Sequence, residues 1–500
     1  MRTSAFLAFV LTTLAAPAAA QEQPLSVIDW LSPSVEPQQT PVEPPLQGAA
    51  PHPVTVVELG APRKGAVGLL PPFVSGLPRA IWGDSDEARL VQLIQIARAE
   101  ILPAMQDLLR TMMLAEADPP TNATGDALLL ARIDKLLELG ALEQAKALLE
   151  QATPDTPELF RRWFDVALLV GTEHRACEVM RRTPAIAPTY PARIFCLARS
   201  GDWSAAALTL NTHRLLGDIS AEQDALISRF LDPDLFEDEP PLLPPQTATP
   251  LDFRMHEAIG EPLSTRSLPL AFAHADLRNS APWKARLEAV ERLARYGAVS
   301  ENVLQQQYTA RAPAASGGLW DRAAAFQSFD ASVVAANPQD IADNLPAAWR
   351  AMEEIRAEVL FARLYAKALR EFDLPQQAND IATKIGLLSE DYAEVAETAE
   401  VISPILRSVA LGDFAVGSTP LETAVLAGLS GNRPISDAHE DLLREGRLGE
   451  ALLEAAILMR AAAQGDTRAT ASGLGLIVAA GYDDLARRAA LQLLILDRAP

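Results

Sequence analysis

Two cysteines, Cys177 and Cys196, carry the most specific chemistry in this sequence. The segment TPAIAPTYP, residues 183–191, lies between them, and its centre at Ala187 falls beside their midpoint. If this segment is the turn between two antiparallel helices, residues at equal distances from it lie side by side. An even pair placed in this way in an oxidising compartment favours a disulfide over two buried thiols. The spacing therefore predicts a Cys177–Cys196 disulfide.

Histidines, serines and glycines form no pattern that is typical of an active site. The six histidines are scattered, at His52, His174, His213, His256, His274 and His439. No His-Glu-x-x-His zinc helix, Gly-x-Ser-x-Gly turn or phosphate-binding glycine loop occurs. His174 and His213 could meet across neighbouring helices, but packed or solvated roles fit them better than metal binding. We therefore predict no catalytic residue, no metal site and no cofactor.

The charge balance excludes two classes of partner. The chain has 65 acidic and 43 basic residues, for a net charge of −22. A nucleic-acid surface needs an excess of positive charge, and so does a surface that binds anionic lipids. We therefore expect neither kind of binding.

The N-terminus, MRTSAFLAFVLTTLAAPAAAQEQ, has the pattern of a secretory signal peptide. Its apolar stretch is about a dozen residues, shorter than the ~20 that a membrane-spanning helix needs. The small residues before Gln21 predict cleavage after Ala20, so residues 1–20 form the signal peptide. The many alanines, and the use of arginine over lysine, are typical of a GC-rich bacterial genome. Together these features predict export to the periplasm without membrane insertion.

Past the signal peptide, the composition predicts a proline-rich extension, residues 21–83, followed by two helical blocks. The extension has seven prolines between residues 31 and 53, and we expect residues 21–60 to contribute little to the fold. The helical blocks are predicted at 84–231 and 253–500, and Asp84 or Ser85 could cap the first helix. Between the blocks, residues 232–252 are acidic and proline-rich, which indicates a linker or an ordered loop.

One short pattern recurs where apolar helical stretches end: a glycine followed five residues later by an alanine. A glycine can end a helix in the left-handed conformation, and a small alanine lets the next helix approach closely. A large apolar residue one or two positions after the glycine is expected to fill the corner, as at Leu142, Trp203, Leu448 and Tyr482. The predicted turns are Gly140 with Ala145, Gly171 with Ala176, Gly201 with Ala206, Gly446 with Ala451, and Gly481 with Ala486.

The spacing of these turns predicts a helical repeat. Gly140, Gly171 and Gly201 lie 31 and 30 residues apart, and Gly446 and Gly481 lie 35 apart. A period near 34 with two helices indicates an α-solenoid. The turn pattern resembles that of tetratricopeptide repeats over roughly residues 125–220 and 440–500, without the family's Trp-Leu-Gly-Tyr signature. The predicted fold class is an all-α, tetratricopeptide-like solenoid, with an irregular helical bundle as the alternative. The pattern leaves open whether residues 300–440 continue the repeat.

The resemblance implies a protein-binding scaffold, because tetratricopeptide-like proteins mostly bind proteins or peptides. We expect a non-enzymatic periplasmic scaffold or adaptor that binds another protein of the cell envelope. One alternative is a helical accessory of cell-wall (peptidoglycan) metabolism with an unrecognised active site. Another is a binder of a small apolar ligand. An enzyme should show one pocket with convergent titratable groups, whereas a scaffold should show a broad surface without them.

The last predicted helix, within DDLARRAALQLLILDRAP, is apolar over much of its circumference. A terminal helix of an open repeat array normally has a polar outer face, because no further repeat covers it. We therefore expect this helix to be covered, most simply by another part of the same chain. A partner or a second copy is the alternative.

Overall fold

A computed structural model of the chain describes residues 28–31, 64–123, 125–413, 416–430 and 434–496. The predicted signal peptide, and the predicted extension up to residue 63 apart from 28–31, lie outside the described residues. Within the described ranges the fold is all-α, with 25 α-helices and no β-strand. Leu70 and Ala115 form a single isolated bridge. The all-α fold class is confirmed.

The helices are numbered in chain order. The first thirteen are α1 Pro72–Ser75, α2 Glu87–Ile96, α3 Pro103–Leu114, α4 Ala127–Glu138, α5 Leu142–Ala152, α6 Pro157–Val170, α7 Glu173–Arg182, α8 Tyr190–Arg199, α9 Trp203–Leu216, α10 Ala221–Leu231, α11 Pro250–Ala258, α12 Ala273–Asp276 and α13 Trp283–Ala294. The others are α14 Glu301–Thr309, α15 Leu319–Val334, α16 Pro338–Ile355, α17 Glu358–Leu369, α18 Gln376–Leu387, α19 Tyr392–Thr398, α20 Pro404–Leu411, α21 Pro420–Leu429, α22 Asp437–Arg444, α23 Leu448–Ala463, α24 Thr467–Ala479 and α25 Asp483–Ile495. Short 3₁₀ turns lie at Lys64–Ala66, Pro184–Ile186, Pro233–Phe236, Thr265–Ser267 and Leu270–Phe272.

Side-chain caps explain where several helices begin. The hydroxyl of Ser220 accepts a hydrogen bond from the backbone of Gln223, whose side chain in turn accepts from the backbone N–H of Ser220. This capping box satisfies two backbone donors that have no partner within α10. At α2 the cap is Asp86, which accepts from the backbone N–H of Arg89. The predicted cap at Asp84 or Ser85 is wrong, because the helix begins at Glu87 and therefore takes its cap from the residue just before it.

Most helices pack against the next helix in the chain, from α4 to α11 and from α12 to α21. The packing at the two ends of the chain departs from an open array. Helix α3 packs on its neighbour α4 but also on α23 and α25, and α2 packs on α4 and α23. The described part of the chain therefore closes on itself through contacts of α2 and α3 with α23 and α25.

This closure covers the terminal helix. Leu493 and Leu494 of α25 are partly buried against the main core, and α25 packs against α3, α20, α21 and α24. The expectation that another part of the chain covers this helix is confirmed. Burial of its apolar surface favours the closed arrangement by ~25 cal/mol per Å² removed from water.

Residues 64–83, which we assigned to the extension, are packed on the helices. Ile81 and Trp82 are fully buried, and the Ile81 carbonyl accepts a hydrogen bond from the Gly449 backbone N–H at 2.7 Å. A Cβ on Gly449 would lie 2.5 Å from the Trp82 ring, so this approach requires a glycine. The packed part of the chain therefore includes residues on the N-terminal side of the predicted boundary at 84.

The hydrophobic cores divide the chain differently from the two predicted blocks. One core contains buried residues from Trp30 to Ala275 together with residues from Leu387 to Leu491. The other contains residues from Ala273 to Leu388, with Leu496. The predicted boundary at 232–252 does not separate these cores, because α11 and α12, which follow it, pack on α6.

Candidate protein-binding surfaces

The five predicted turns all connect two helices. Their glycines have positive φ angles between 71° and 88°, and a helix begins two residues after each of them. The paired alanines are fully buried in the main core. The residues are Gly140, Ala145, Gly171, Ala176, Gly201, Ala206, Gly446, Ala451, Gly481 and Ala486. These turns set the start of α5, α7, α9, α23 and α25.

The predicted disulfide joins α7 to α8. Cys177 and Cys196 are bonded, with their Cα atoms 5.0 Å apart, and both side chains are buried. The 3₁₀ turn Pro184–Ile186 lies between the two helices, so that the two sulfur atoms lie at the same position along the neighbouring helices. The bond therefore fixes the helix on which α9 packs.

A buried carboxylate reinforces the same region. Glu173, at the start of α7, is almost fully buried and forms ion pairs with Arg199 at 3.4 Å and Arg254 at 3.1 Å. Arg199 belongs to α8 and Arg254 to α11. A buried carboxylate needs such partners because burial of an unpaired charge is very unfavourable. These ion pairs join α7, α8 and α11, and α9 packs on α8.

Helix α9 carries large apolar side chains that are exposed to solvent. Only Ala206 and Leu210 of this helix are buried, and the helix packs mainly on α8 and α10. Leu208 and Leu215 are seven residues apart and therefore lie on one face. The exposed fractions are 51% for Trp203, 69% for Leu208, 88% for Leu215 and 66% for Leu216. We call these four residues the α9 surface.

Trp203 corrects a prediction about the turns. We expected the large residue after each glycine to fill the corner between the helices. Leu142 does so and is fully buried, but Trp203 projects into solvent. Periodicity does not reveal this difference, because both residues follow the same turn pattern. Leu142 and Trp203 differ in exposure because further helices of the core cover α5, whereas one side of α9 is not covered.

The segment between α10 and α11 is an ordered loop. The Arg229 guanidinium binds the Glu239 carboxylate at 3.2 Å, the Pro240 carbonyl at 3.0 Å and the Glu261 carboxylate at 3.1 Å. These bonds hold the acidic, proline-rich stretch against α10. Two leucines of this loop, Leu235 and Leu243, are exposed. The ordered-loop interpretation of residues 232–252 therefore fits better than a free linker.

A second surface lies between α2 and α4. A groove of about 680 Å³ is lined by Gln95 and Ile96 of α2, by Arg98 just after that helix, by Leu137 and Glu138 of α4, and by the stretches 246–248 and 267–270. Ile28, Asp29 and Trp30 form another part of its wall. Trp30 is only 7% exposed, and its ring meets that of Phe272 edge-on, with centroids 5.4 Å apart. The expectation that residues 21–60 contribute little to the fold is therefore wrong for Trp30 and Leu31.

The histidines of the described ranges have separate environments. His174 is exposed, and His213 stacks on Tyr190 and pairs with Asp218 through Nδ1 at 2.7 Å. His439 pairs with Glu454 at 3.1 Å. In the part of the chain that the structure describes, no three His, Cys, Asp or Glu side chains form a group that could hold a metal ion. His52 lies outside the described residues.

Two further histidines are buried to different degrees. His274 donates from Nε2 to the Gly140 carbonyl at 2.6 Å and so joins α12 to the turn before α5. Burial lowers the pKa of His274, and the hydrogen bond to Gly140 opposes that shift. The pKa of the buried His256 is lowered for the same main reason. Both pKa shifts favour the neutral imidazole, which fits a packing role for these side chains.

No protein-family model, no curated protein and no solved structure matches this chain. Among the described helices, none is both long enough and apolar enough to cross a membrane.

Proposed function

We propose that this chain is a non-enzymatic scaffold or adaptor of the bacterial periplasm, and that it binds another envelope protein through the α9 surface. The observation that carries the proposal is the exposure of Trp203, Leu208, Leu215 and Leu216 on one helix. Large exposed apolar patches are typical of protein interfaces, and Leu208 and Leu215 lie on one face of α9. Aromatic anchors such as Trp203 often contribute most to binding.

The support beneath α9 favours a preformed interface. The Cys177–Cys196 bond and the ion pairs of Glu173 join α8, on which α9 packs, to α7 and α11. A rigid surface loses little conformational entropy when a partner binds, so more of its contact energy appears as affinity.

We further propose that the hairpins belong to a tetratricopeptide-like repeat. Five turns with a left-handed glycine and a fully buried alanine support this proposal. The disulfide supports a location outside the cytoplasm, because disulfides persist in oxidising compartments. The signal-peptide pattern of residues 1–20 independently supports export.

Site-specific photo-crosslinking in the native host tests the partner. A photoreactive amino acid at position 215 should give one dominant adduct, which mass spectrometry of the purified product identifies. The matched control is position 334 on α15, where Val334 is similarly exposed. The same adduct at both positions, or none at position 215, would contradict the proposal.

A pair of charge substitutions tests the contact itself. Leu208→Glu with Leu215→Glu should abolish co-purification of the crosslinked partner without lowering the melting temperature, because both side chains are exposed in the free protein. Val334→Glu should leave the partner bound. Fractionation of the host should recover the chain in the periplasm, with Gln21 as its first residue. Recovery in the cytoplasm with an intact N-terminus would contradict the localisation.

A further inference from the structure

A pocket of about 290 Å³, which we call the arginine pocket, lies between the start of α3 and the C-terminal ends of α13, α16 and α23. Its wall contains Arg295 directly after α13, Arg356 directly after α16, and Arg460 in the last turn of α23. Among its described lining residues, Glu100 is the one carboxylate. The pocket is therefore positive in a chain whose net charge is −22.

The side chains of the three pocket arginines have no protein partner. In the part of the chain that the structure describes, none of them forms an ion pair or donates a hydrogen bond, and the Nε of Arg460 is buried without an acceptor. Arg110, beside the pocket, differs from them, because it binds Asp107 at 2.9 Å and the Tyr296 carbonyl at 3.1 Å. A buried guanidinium N–H is stabilised by an acceptor, and an oxyanion is the strongest acceptor for it.

A structural role is the alternative for arginines at helix C-termini. Their charge complements the helix dipole, and their side chains can bind backbone carbonyls. Arg292 of α13 has such a role, since it donates to the carbonyls of Thr265 and Leu268. The three pocket arginines make no bond of this kind within the described ranges, so a ligand-binding role fits them better.

The backbone of Arg356 favours the same interpretation. Its φ angle is 60°, in the left-handed region, where a side chain is unfavourable and glycine is the usual residue after a helix. The arginine side chain is exposed and lines the pocket. Residues in unfavourable backbone conformations are concentrated at functional sites, and the guanidinium is what arginine adds here over glycine.

The set of donors suits a phosphate group. A guanidinium presents parallel N–H donors that match the oxygens of a phosphate or a carboxylate. Three arginines reach the pocket from three helices, and a phosphate monoester offers three terminal oxygens, whereas a carboxylate offers two. The volume lies at the lower end of the range for small-molecule pockets, which begins at about 300 Å³, so the ligand is small.

We infer that the arginine pocket binds a small phosphate compound, either inorganic phosphate or a phosphate monoester, through Arg295, Arg356 and Arg460. The phosphate oxygens accept hydrogen bonds from the three guanidinium groups. The ligand thereby joins α3 and α23, which belong to the main core, to α13 and α16, which belong to the second core. This inference does not depend on the α9 surface, and either site can fail alone.

Isothermal titration calorimetry of the full chain with sodium phosphate, at pH 8 and constant ionic strength, tests the site. The wild type should show saturable binding. Arg356→Gly should weaken it by at least about tenfold, because a charge-assisted contact is lost. The melting temperature of this variant should stay close to that of the wild type, because glycine suits the left-handed backbone. Arg295→Gln, at an exposed position, should weaken binding similarly.

Two controls match these substitutions. Arg350→Gln removes an exposed arginine of α16 that is not part of the pocket wall, and Ala336→Gly places glycine at another left-handed position, with φ 50°. Both should leave phosphate binding unchanged. Glu100→Gln should tighten binding by about twofold or more, because it removes a like charge from the pocket and keeps an acceptor for the Tyr296 hydroxyl, which donates to Glu100 at 3.1 Å.

Absence of saturable binding to the wild type, or equal binding by the wild type, Arg356→Gly and Arg295→Gln, would overturn the inference. Succinate that binds as tightly as phosphate would overturn the choice of phosphate over carboxylate. Titration with glycerol 3-phosphate separates the two sources, because tighter binding than that of inorganic phosphate assigns the pocket to a monoester and weaker binding assigns it to the free ion. Co-sedimentation with phosphatidic acid vesicles that Arg356→Gly abolishes would assign the pocket to a lipid surface and overturn the small ligand.

Discussion

The side chain of Gln492, in the last helix, accepts a hydrogen bond from the backbone N–H of Ala104 at 2.9 Å, across 388 positions of sequence. Ala104 lies in the first turn of α3, where backbone N–H groups have no partner within the helix. Leu102, the capping residue of α3, supplies no side-chain acceptor. Gln492 therefore caps α3 from the opposite end of the chain and fastens the closure.

Replacement of Gln492 by Met should destabilise the fold by about 1–3 kcal/mol. Methionine keeps most of the volume but removes the acceptor, so the buried Ala104 N–H loses its partner. Unfolding in urea, followed by circular dichroism, measures the change. The control is Gln377→Met, at an exposed position of α18, which should change stability by less than about 0.5 kcal/mol. Equal effects of the two substitutions would show that the cap is energetically unimportant.

Removal of the disulfide should lower the free energy of unfolding by about 2–4 kcal/mol. The bond closes a loop over a separation of 19 residues, and its loss increases the conformational entropy of the unfolded chain. Denaturant unfolding with and without reductant measures the difference. A Cys177→Ala, Cys196→Ala variant should show the lowered value in both conditions. A wild type that is insensitive to reductant under denaturing conditions would mean that the bond is not formed in the purified protein.

The buried pair of Asp134 and Arg162 gives a third prediction. Both guanidinium–carboxylate contacts are short, at 2.6 and 2.8 Å, and Arg162 is fully buried. Arg162→Met should cost about 3–5 kcal/mol, because Asp134 is then buried without its partner. Addition of Asp134→Leu should recover part of this loss. The exposed pair of Arg182 and Glu178 is the control.

A double-mutant cycle, measured by unfolding in urea, separates the interaction energy of Asp134 with Arg162 from the cost of each single substitution. Arg182→Met should cost less than about 1 kcal/mol, because solvent screens exposed ion pairs. If Arg162→Met costs as little stability as Arg182→Met, the buried pair does not act as a coupled unit. The same conclusion follows if the separate costs of Arg162→Met and Asp134→Leu add in full in the double mutant.

Stability should decrease as the pH falls below about 6.5, the ordinary pKa of histidine. Burial lowers the folded-state pKa of His274 and His256, so the unfolded chain binds protons more readily in this range. Each histidine's contribution to the free energy of unfolding is complete above the pKa that it has in the unfolded chain. That contribution is lost as the pH falls through the pKa that the histidine has in the folded chain. Urea midpoints measured between pH 8 and pH 5 test this dependence.

His274→Gln should flatten the pH dependence, because glutamine does not titrate and its amide can still donate to the Gly140 carbonyl. His174→Gln, at an exposed position, is the matched control. A His274→Gln chain with the wild-type slope would assign the pH dependence to other groups.

Features that depend on nearby residues could be predicted from the sequence. The helical turns at Gly140 and Gly201 depend on a glycine that accepts a positive φ and on an alanine five residues later. The disulfide depends on two cysteines equidistant from one turn. These features depend on stretches of fewer than about 40 residues, within which helix geometry relates position in sequence to position in space. The all-α fold follows from the same local periodicity.

Burial, in contrast, depends on which surfaces meet. Trp203 and Leu142 follow the same turn pattern, but only Leu142 is covered. Trp30 lies in a stretch that composition marks as linker, but it is buried because Phe272, 242 positions later, lies beside it. Helices α9 and α25 both carry large apolar residues, and contacts with α3, α20, α21 and α24 cover those of α25.

The sequence by itself thus determined the helices, their turns and the pairing of Cys177 with Cys196, because each of these has a local cause. Only the tertiary structure decided that α25 packs on α3 through Gln492 and Ala104, and that the α9 surface remains in water. The physical reason is that hydrophobic burial is not directional and depends on the area removed from water. A residue type indicates that a side chain can be buried, whereas the packed neighbours decide whether it is.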